Sequence, residues 1–234
     1  MHRQVRYNVN KIYNRLKLLS IELGIVLLSF FISFFLMVYV IRGIFLHKKE
    51  EIDFKVFDFL RDFVSDTTTS IMNFFTFFGG QYFLIPANLI LILWAFFIKK
   101  DKWFGIRTCA VSISSLILMF ALKQFFQRPR PLSPLLREAK GLSFPSGHAF
   151  MSFAFFGLLI YVINKNVKVK WLKYLLIILS LIMILMIGTS RVYLRVHYAS
   201  DVLAGYSMGL MWLVISLWVI HIIENHKASL PPVQ

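Results

Sequence analysis

The chain has 234 residues, a formal net charge of +15, and 58% hydrophobic residues against 16% charged ones. A soluble domain is usually about 45–50% apolar and about 25% charged, so this composition excludes an ordinary soluble fold. It also excludes a disordered chain, and the single cysteine, Cys109, excludes a disulfide scaffold. In a membrane protein, Lys and Arg mostly mark cytoplasmic loops, so the positive charge does not indicate a nucleic-acid partner.

Six apolar stretches are long enough to cross a bilayer, which takes about 20 residues. In chain order they run from Leu23 to Ile41, Gln81 to Ile98, Trp103 to Leu122, His148 to Asn164, Leu172 to Gly188 and Val202 to Ile223. The first is longer than a signal-peptide core and no small-residue cleavage site follows it, so we interpret it as a span. The sequence therefore predicts an all-α, six-transmembrane helix bundle that forms a single domain over residues 1–234.

The segment between the first two spans predicts an interfacial amphipathic helix from Glu51 to Asp66. Its apolar face comprises Ile52, Val56, Phe59, Leu60 and Phe63, and its polar face Asp53, Asp58, Arg61, Asp62 and Asp66. The uncharged stretch from Thr67 to Gly80 is too short to span the bilayer. We predict a shallow helix there that turns at Gly79 and Gly80, and that either packs on the bundle or gates the substrate.

Six spans place both termini on the same side of the membrane. That side carries the larger share of Lys and Arg, so the positive-inside rule predicts that the termini are cytoplasmic. The main groups of these cations are Arg3, Arg6, Lys11, Arg15 and Lys17, then Lys99, Lys100 and Lys102, and then Lys165, Lys168, Lys170 and Lys173.

Four polar clusters stand at the ends of spans. They are Lys123 with Arg130, Pro145 to His148, Ser190 with Arg191, and His197 with Asp201. The third and fifth spans leave the membrane on the face from which the fourth and sixth enter it. The alternation of spans therefore brings all four clusters to the outer side, opposite the termini.

The residue types in these clusters indicate a phosphate site. Lys123, Arg130 and Arg191 suit a multiply charged anion, because the Arg fork matches phosphate oxygens and Lys acts as a point charge. Ser146 and Gly147 at a helix start would add backbone N–H donors and the positive end of a helix dipole. We expect these groups to bind an anion directly.

Two histidines add reactive groups to the predicted site. A neutral His can attack phosphorus, and a protonated one can donate to a leaving oxygen, so His148 and His197 suit these roles. Asp201 follows His197 by four residues, and on one helix face it would hold the imidazole in its nucleophilic tautomer. The sequence has no metal-binding pattern such as H-E-x-x-H. We therefore expect the fixed cations to neutralise the phosphoryl oxygens without a metal or other cofactor.

These motifs resemble the signature of the type 2 phosphatidic acid phosphatase (lipid phosphate phosphatase) superfamily, membrane branch. The segment from Lys123 to Pro131 is similar to its K-x6-R-P motif, and Pro145 to His148 to its P-S-G-H motif. The segment from Ser190 to Asp201 is similar to S-R-x5-H-x3-D. The resemblance covers the chain from Lys123 to Asp201.

The resemblance implies a role for each matched position. His197 would form a phosphohistidine, Asp201 would orient it, and His148 would protonate the leaving oxygen and then activate water. The implied phosphate-binding residues are Lys123, Arg130, Ser146, Gly147 and Arg191. Ser190 and Pro131 would contact these residues without touching the phosphate. The family works without a metal.

We interpret the chain as an integral-membrane lipid phosphate phosphatase of the outer leaflet. Undecaprenyl diphosphate is the favoured substrate, because that carrier is released on the outer side and must lose a phosphate to be reused. Phosphatidylglycerophosphate is the nearest rival, followed by phosphatidic acid and diacylglycerol pyrophosphate, since the motifs contact the phosphate and not the tail.

A lipid phosphotransferase of the same superfamily is an alternative function. A non-catalytic binder or transporter is another, although it would not need two histidines. The composition is compatible with an AT-rich bacterial genome.

The motifs assign no role to three further features. Arg128 and Arg195 are assigned to the surface or to lipid headgroups. Gly205 and Gly209 have the G-x-x-x-G spacing typical of close helix contacts. This spacing suits either a homodimer face or packing inside the bundle, and we favour packing inside the bundle.

Overall fold

The computed structural model describes residues 23–47, 50–132, 134–135 and 141–229. These residues form eight helices: α1 (Leu23–Leu46), α2 (Glu51–Arg61), α3 (Asp66–Phe78), α4 (Gln81–Ile98), α5 (Lys102–Phe126), α6 (Gly147–Asn166), α7 (Lys170–Tyr193) and α8 (Ala199–Ser229). Helices α1 and α4 to α8 are long and apolar enough to cross a membrane. The chain is thus an all-helical, multi-pass membrane protein, as predicted. The cations at positions 3–17 that entered the orientation argument lie outside the described residues.

Each predicted span lies within one observed helix, and most helices continue past the apolar stretch. Helix α4 has the predicted bounds, whereas α7 continues beyond Gly188 to Tyr193. Backbone hydrogen bonding does not end where hydropathy falls, so α7 carries Ser190 and Arg191 in its last turns. Ser190 and Arg191 are therefore held on a helix rather than in a loop.

Helix α6 is the centre of the bundle and packs against α8, α7, α5 and α4. Its contact with α8 depends on two glycines. A Cβ atom at Gly205 would lie 2.9 Å from the carbonyl oxygen of Ser146, and one at Gly209 would lie 3.0 Å from that of Phe150. The G-x-x-x-G spacing therefore serves packing inside the bundle.

The segment between α1 and α4 contains two helices. Helix α2 ends at Arg61, earlier than predicted, because Ser65 starts a new helix by accepting a hydrogen bond from the Thr68 backbone at 3.2 Å. Helix α3 occupies the stretch predicted as a shallow helix and ends at Phe78, with Gly79 as its C-cap. It packs along α7, where Thr69 Oγ1 lies 3.0 Å from the Tyr193 hydroxyl.

The predicted polar face of α2 is wrong at one position. Asp53 is only 2% exposed, whereas Ile52 and Phe59 of the predicted apolar face are exposed. Helix α2 therefore turns Asp53 and Phe57 towards the bundle. An acidic side chain is buried here because it has charged and polar partners, which are described below.

A second buried charge lies at the opposite end of the bundle. Arg107, the cation that interrupts the third span, forms an ion pair with Glu224 and donates to the Tyr161 hydroxyl at 2.9 Å. This pair joins α5 to α8 at the ends of these helices opposite Lys123 and Asp201.

Candidate active site

The predicted site residues lie at the ends of four spanning helices or in the loops beside them. Lys123 lies in the last turns of α5, and Arg191 in the last turn of α7. Ser146 caps the start of α6, and Asp201 lies in the first turn of α8. The structure thus brings together groups that are distant in the sequence, as the alternation of spans predicted.

His197 is buried at the centre of this cluster, with 1% of its surface exposed. Its Nε2 atom lies 3.3 Å from Nη1 of Arg130. A guanidinium group only donates hydrogen bonds, so Nε2 must accept, and the ring proton is therefore on Nδ1. Nδ1 faces Ser143 Oγ at 3.4 Å and Asp201 Oδ2 at 3.6 Å. This tautomer leaves the Nε2 lone pair on the side of the cations.

The link between His197 and Asp201 differs from the prediction. The two residues do not share a helix face, because α8 begins only at Ala199 and His197 lies in the turn before it. Their 3.6 Å separation is an ion-pair distance and is too long for a good hydrogen bond. Ser143 Oγ donates a short hydrogen bond to Asp201 Oδ2 and so joins the two side chains.

Burial sets the charge state of His197. The pKa of His197 is lowered to about 4, mainly because the ring is buried. The charges of Arg130 and Arg191 lower this pKa further, whereas Asp201 raises it. His197 is therefore neutral at neutral pH, which is the state in which an imidazole can act as a nucleophile.

Arg130 and Lys123 are held by backbone carbonyls. Arg130 donates to Gly141 at 3.1 Å through Nε and to Val196 at 2.7 Å through Nη1. Lys123 Nζ donates to Leu142 at 2.6 Å. Both side chains are only partly exposed. Neutral carbonyls fix the two cations without cancelling their charge, so the site stays attractive to an anion.

Helix α3 contributes to this site, which the sequence reasoning left open. Nη1 of Arg191 donates to Thr76 Oγ1 at 2.6 Å. The buried Nε atom of Arg191 has no hydrogen-bond partner among the described residues. Thr76 therefore holds one edge of the guanidinium group while another donor stays available.

The turn between α3 and α4 lies against His148. A Cβ atom at Gly79 would lie 3.1 Å from His148 Cδ2 and would collide with Ile187, and one at Gly80 would lie 3.7 Å from His148 Nε2. Glycine therefore allows this turn to approach the imidazole closely. The segment that the sequence predicted as a shallow helix forms a wall of the site.

Two serines of the motifs face helix backbone. Ser146 is fully buried, and its Oγ atom accepts from the Ala149 backbone at 3.5 Å as the cap of α6. Ser190 Oγ donates to the Ile187 carbonyl at 2.6 Å. The Ser146 hydroxyl is thus engaged in capping, and the open start of α6 is left to offer backbone N–H groups near Gly147. Pro131 lies half-buried in the loop that follows α5.

Arg128 was assigned to the surface from sequence, and that assignment is wrong. Its side chain is 4% exposed, and Nη1 donates to Asp201 Oδ1 at 2.7 Å and to Ser200 Oγ at 2.8 Å. Nη2 donates to Asp53 Oδ2 at 2.9 Å, and the guanidinium carbon lies 4.0 Å from the centre of the Tyr198 ring. Burial acts to lower the pKa of Arg128, but Asp201 and Asp53 outweigh it and raise that pKa.

No local sequence signal pointed to this network. Asp53 and Arg128 are 75 positions apart, and neither is a specified position of a motif. Arg195, the other unassigned cation, lies partly exposed in the turn after α7. Among the described residues, no group of three or more His, Cys, Asp or Glu side chains is arranged to hold a metal ion.

Comparisons with known proteins find similar sequences and similar folds. The sequence profile of the PAP2 superfamily matches residues 104–224. Phosphatidylglycerophosphatase B of Bacillus subtilis is 35% identical over 144 residues, which are 60% of this chain and 70% of the relative. An undecaprenyl-diphosphatase of Sulfolobus acidocaldarius is 28% identical over 149 residues, 61% of this chain and 66% of the relative.

Solved structures show the same fold. The crystal structure of a transmembrane PAP2 type phosphatidylglycerolphosphate phosphatase from Bacillus subtilis superposes with a TM-score of 0.73 at 24% identity, covering 88% of this chain and 99% of that one. Aquifex aeolicus LpxE superposes with a TM-score of 0.53 at 25% identity, covering 70% and 94%. Fold and relatives together define an integral-membrane hydrolase of lipid phosphates. The chain belongs to the PAP2 superfamily.

Proposed function

We propose that the chain, acting as one domain over residues 1–234, removes the terminal phosphate of a lipid phosphate at the outer leaflet through a phosphohistidine on His197. The observation that carries this proposal is the orientation of the buried imidazole. Its Nε2 lone pair faces Arg130, and its Nδ1 proton faces Ser143 and Asp201.

In the first step, Nε2 of His197 attacks the phosphorus atom. A P–N bond forms while the bond from phosphorus to the leaving oxygen breaks, and His148 gives that oxygen a proton. The charge on the phosphoryl oxygens is neutralised by three cations, Lys123, Arg130 and Arg191. The imidazolium formed at His197 is stabilised by the negative charge of Asp201.

In the second step, water hydrolyses the intermediate. His148, now neutral, takes a proton from the water molecule as its oxygen attacks phosphorus. The P–N bond breaks, its electron pair returns to Nε2 of His197, and inorganic phosphate leaves. Each histidine then has its starting charge, so the cycle closes without a net gain of protons by the protein.

The proposed orientation places the site outside the cell and the termini in the cytoplasm. The lysines at the start of α5 and around the α6–α7 loop support it, because they lie at the end of the bundle opposite the site. A membrane-impermeant maleimide tests it in intact cells after Cys109 has been replaced by Ser. A Lys168→Cys variant should stay unlabelled until the cells are opened. Labelling of this variant in intact cells would overturn the orientation.

Undecaprenyl diphosphate is the first substrate candidate. An outward-facing site would meet this carrier where it is released, and one relative is named an undecaprenyl-diphosphatase. Phosphatidylglycerophosphate is the second candidate, supported by the 35% identity to a protein named phosphatidylglycerophosphatase B. Phosphatidic acid belongs in the same panel as a simple lipid monophosphate.

The deciding experiment measures phosphate release from this panel by purified protein, with and without EDTA. We expect turnover that EDTA leaves unchanged and that His197→Ala abolishes, with kcat/KM ranking the substrates. Full activity of His197→Ala would overturn the proposed mechanism. Transfer of phosphate to an acceptor lipid, with little free phosphate, would instead identify a phosphotransferase.

A further inference from the structure

The interfacial helix α2 reaches the active site through a continuous buried network. Asp53 of α2 contacts Arg128, and Arg128 contacts Asp201, with hydrogen bonds of 2.9 and 2.7 Å. All three side chains are buried, at 2%, 4% and 0% exposure. A negative, a positive and a negative charge thus alternate from the interfacial helix to the carboxylate beside His197.

Burial makes each member of this network depend on the others. An ionised group that loses its partner in a buried setting is strongly unfavourable, whereas a paired and hydrogen-bonded one is tolerated. Arg128 lies between the buried carboxylates of Asp53 and Asp201 and stacks on Tyr198, so its guanidinium plane has one orientation. The partly exposed Glu50 carboxylate lies farther from Nη2, at 3.6 Å. Without Asp53, Nη2 would lose its hydrogen bond and keep only the longer contact with Glu50.

Asp53 also holds the start of α8. Its Oδ1 atom accepts from the Ser200 backbone at 2.9 Å, and its Oδ2 atom accepts from Ser200 Oγ at 2.6 Å. Asp201 Oδ2 accepts from the Tyr198 backbone at 3.0 Å. Two carboxylates therefore satisfy N–H groups at the first turn of α8, where negative charge is favoured.

We propose that Arg128 and Asp53 are positioning residues for Asp201, so that the interfacial helix α2 is part of the catalytic machinery. The proposal rests on the proposed function, since it takes the His197–Asp201 pair as the reacting unit. Asp201 Oδ1 is held by Arg128 and Oδ2 by Ser143 and the Tyr198 backbone. The carboxylate therefore presents one fixed edge to His197 Nδ1.

The hydrogen bonds of Arg128 distinguish it from the phosphate-binding cations. Its Nη1 and Nη2 atoms donate to protein side chains on α2 and α8. Its loss should therefore lower kcat and leave phosphate binding unchanged. Arg130→Gln should weaken binding of inorganic phosphate, because Arg130 contacts the nucleophilic face of His197.

The test measures kcat, KM and competitive inhibition by inorganic phosphate in purified variants. Arg128→Gln should lower kcat by about 100-fold, the loss that a misplacement of about 1 Å can cause. The phosphate inhibition constant should stay within about twofold of the wild-type value, because Arg128 donates to protein side chains.

Asp53→Asn should give a smaller loss of kcat than Arg128→Gln, because an amide oxygen still accepts from Ser200. Arg128→Lys should recover part of the activity by restoring the charge without the fork.

The double variant Asp53→Asn/Arg128→Gln tests whether the pair acts as a unit. It should be no worse than Arg128→Gln alone, because the two changes break one network. If the fold losses in kcat of the two single variants multiply in the double variant, the two residues act independently and the coupling is overturned. A rise in the phosphate inhibition constant with unchanged kcat would overturn the positioning role and make Arg128 a phosphate ligand.

Two matched controls separate positioning from general stability. Asp58→Asn alters the exposed face of the same helix, where Asp58 pairs with Arg61, and should leave kcat unchanged. Arg107→Gln breaks the buried ion pair at the other end of the bundle. It should lower the thermal stability in detergent and leave kcat per folded molecule unchanged. If Arg107→Gln lowers kcat as much as Arg128→Gln does, the effect is one of stability and the proposal fails.

The two proposals fail in different ways. Full activity of His197→Ala would refute the proposed function, whatever the activity of the Arg128 variants. An inactive His197→Ala together with wild-type kcat in both Arg128→Gln and Asp53→Asn would remove only the positioning role. Should Arg128→Gln fail to fold, Arg128→Lys and Asp53→Asn carry the test, because each preserves either the charge or the shape of the residue it replaces.

Discussion

Nη1 of Arg130 lies 3.3 Å from Nε2 of His197, and the same nitrogen donates to the Val196 carbonyl at 2.7 Å. Arg130 is thus fixed by the peptide backbone beside the imidazole nitrogen that we propose as nucleophile. A phosphoryl group that binds Arg130 would lie next to that lone pair. The contact therefore combines substrate binding with alignment for attack, two effects that together account for much of enzymatic phosphoryl transfer.

Removing the imidazole of His197 should abolish turnover. His197→Ala lacks the nucleophile, so we expect kcat to fall at least about 1000-fold in a phosphate-release assay. Acid-quenched protein should also lose the phosphohistidine that a labelled substrate leaves on the wild type. His47→Ala is the matched control, because His47 is exposed at the end of α1 and should behave as the wild type. A labelled phosphoenzyme that survives in His197→Ala would place the nucleophile elsewhere.

The acid limb of the pH profile should report His197. Its pKa of about 4 means that kcat/KM falls only near pH 4, where the nucleophile becomes protonated. Arg130 lowers this pKa, so Arg130→Gln should raise it and move the acid limb to higher pH. Asp201→Asn removes an opposing charge and should move the limb to lower pH. Limbs that stay in place in both variants would contradict this assignment.

The α3–α4 turn should tolerate no side chain beside His148. In Gly79→Ala the new Cβ atom would collide with Ile187 and press on the imidazole, so kcat should fall on the order of 10- to 100-fold. Gly43→Ala on α1 is the control, since a Cβ atom there meets nothing within 4 Å. Steady-state kinetics at saturating substrate compares the two. Equal kcat in both variants would show that the turn does not influence His148.

Thr76 should matter through Arg191. Thr76→Val keeps the shape of the side chain but removes the acceptor for Nη1 of Arg191. A hydrogen bond to a charged group contributes about 1.5–3 kcal/mol, so we expect phosphate binding to weaken by roughly tenfold or more. Thr76→Ser should restore it. Inhibition by inorganic phosphate measures the effect, and a valine variant with wild-type affinity would refute it.

The sequence was most informative where one physical rule acts alone. Hydropathy located all six spans, and for α4 it gave both ends, because a bilayer demands a continuous apolar stretch. Alternation of spans then brought Lys123, Arg191 and His197 to one end of the bundle. Neither step needed any knowledge of side-chain contacts.

The sequence was least informative where burial depends on tertiary partners. The helical periodicity of α2 assigned Asp53 to a polar face, and only Arg128 and Ser200 explain why it is buried. The i, i+4 spacing of His197 and Asp201 suggested a shared helix face, but α8 begins between them. A spacing rule cannot locate a helix start that is fixed by contacts with another segment.

The two short helices between the first two spans have a consequence for protein engineering. They contribute Asp53, Thr76 and the Gly79–Gly80 turn to the surroundings of the site. A chimera that exchanged residues 51–80 for those of a relative would therefore change the chemistry along with the membrane contact. A shortened variant that lacked only residues 51–80 would keep every motif residue and still be a poor catalyst.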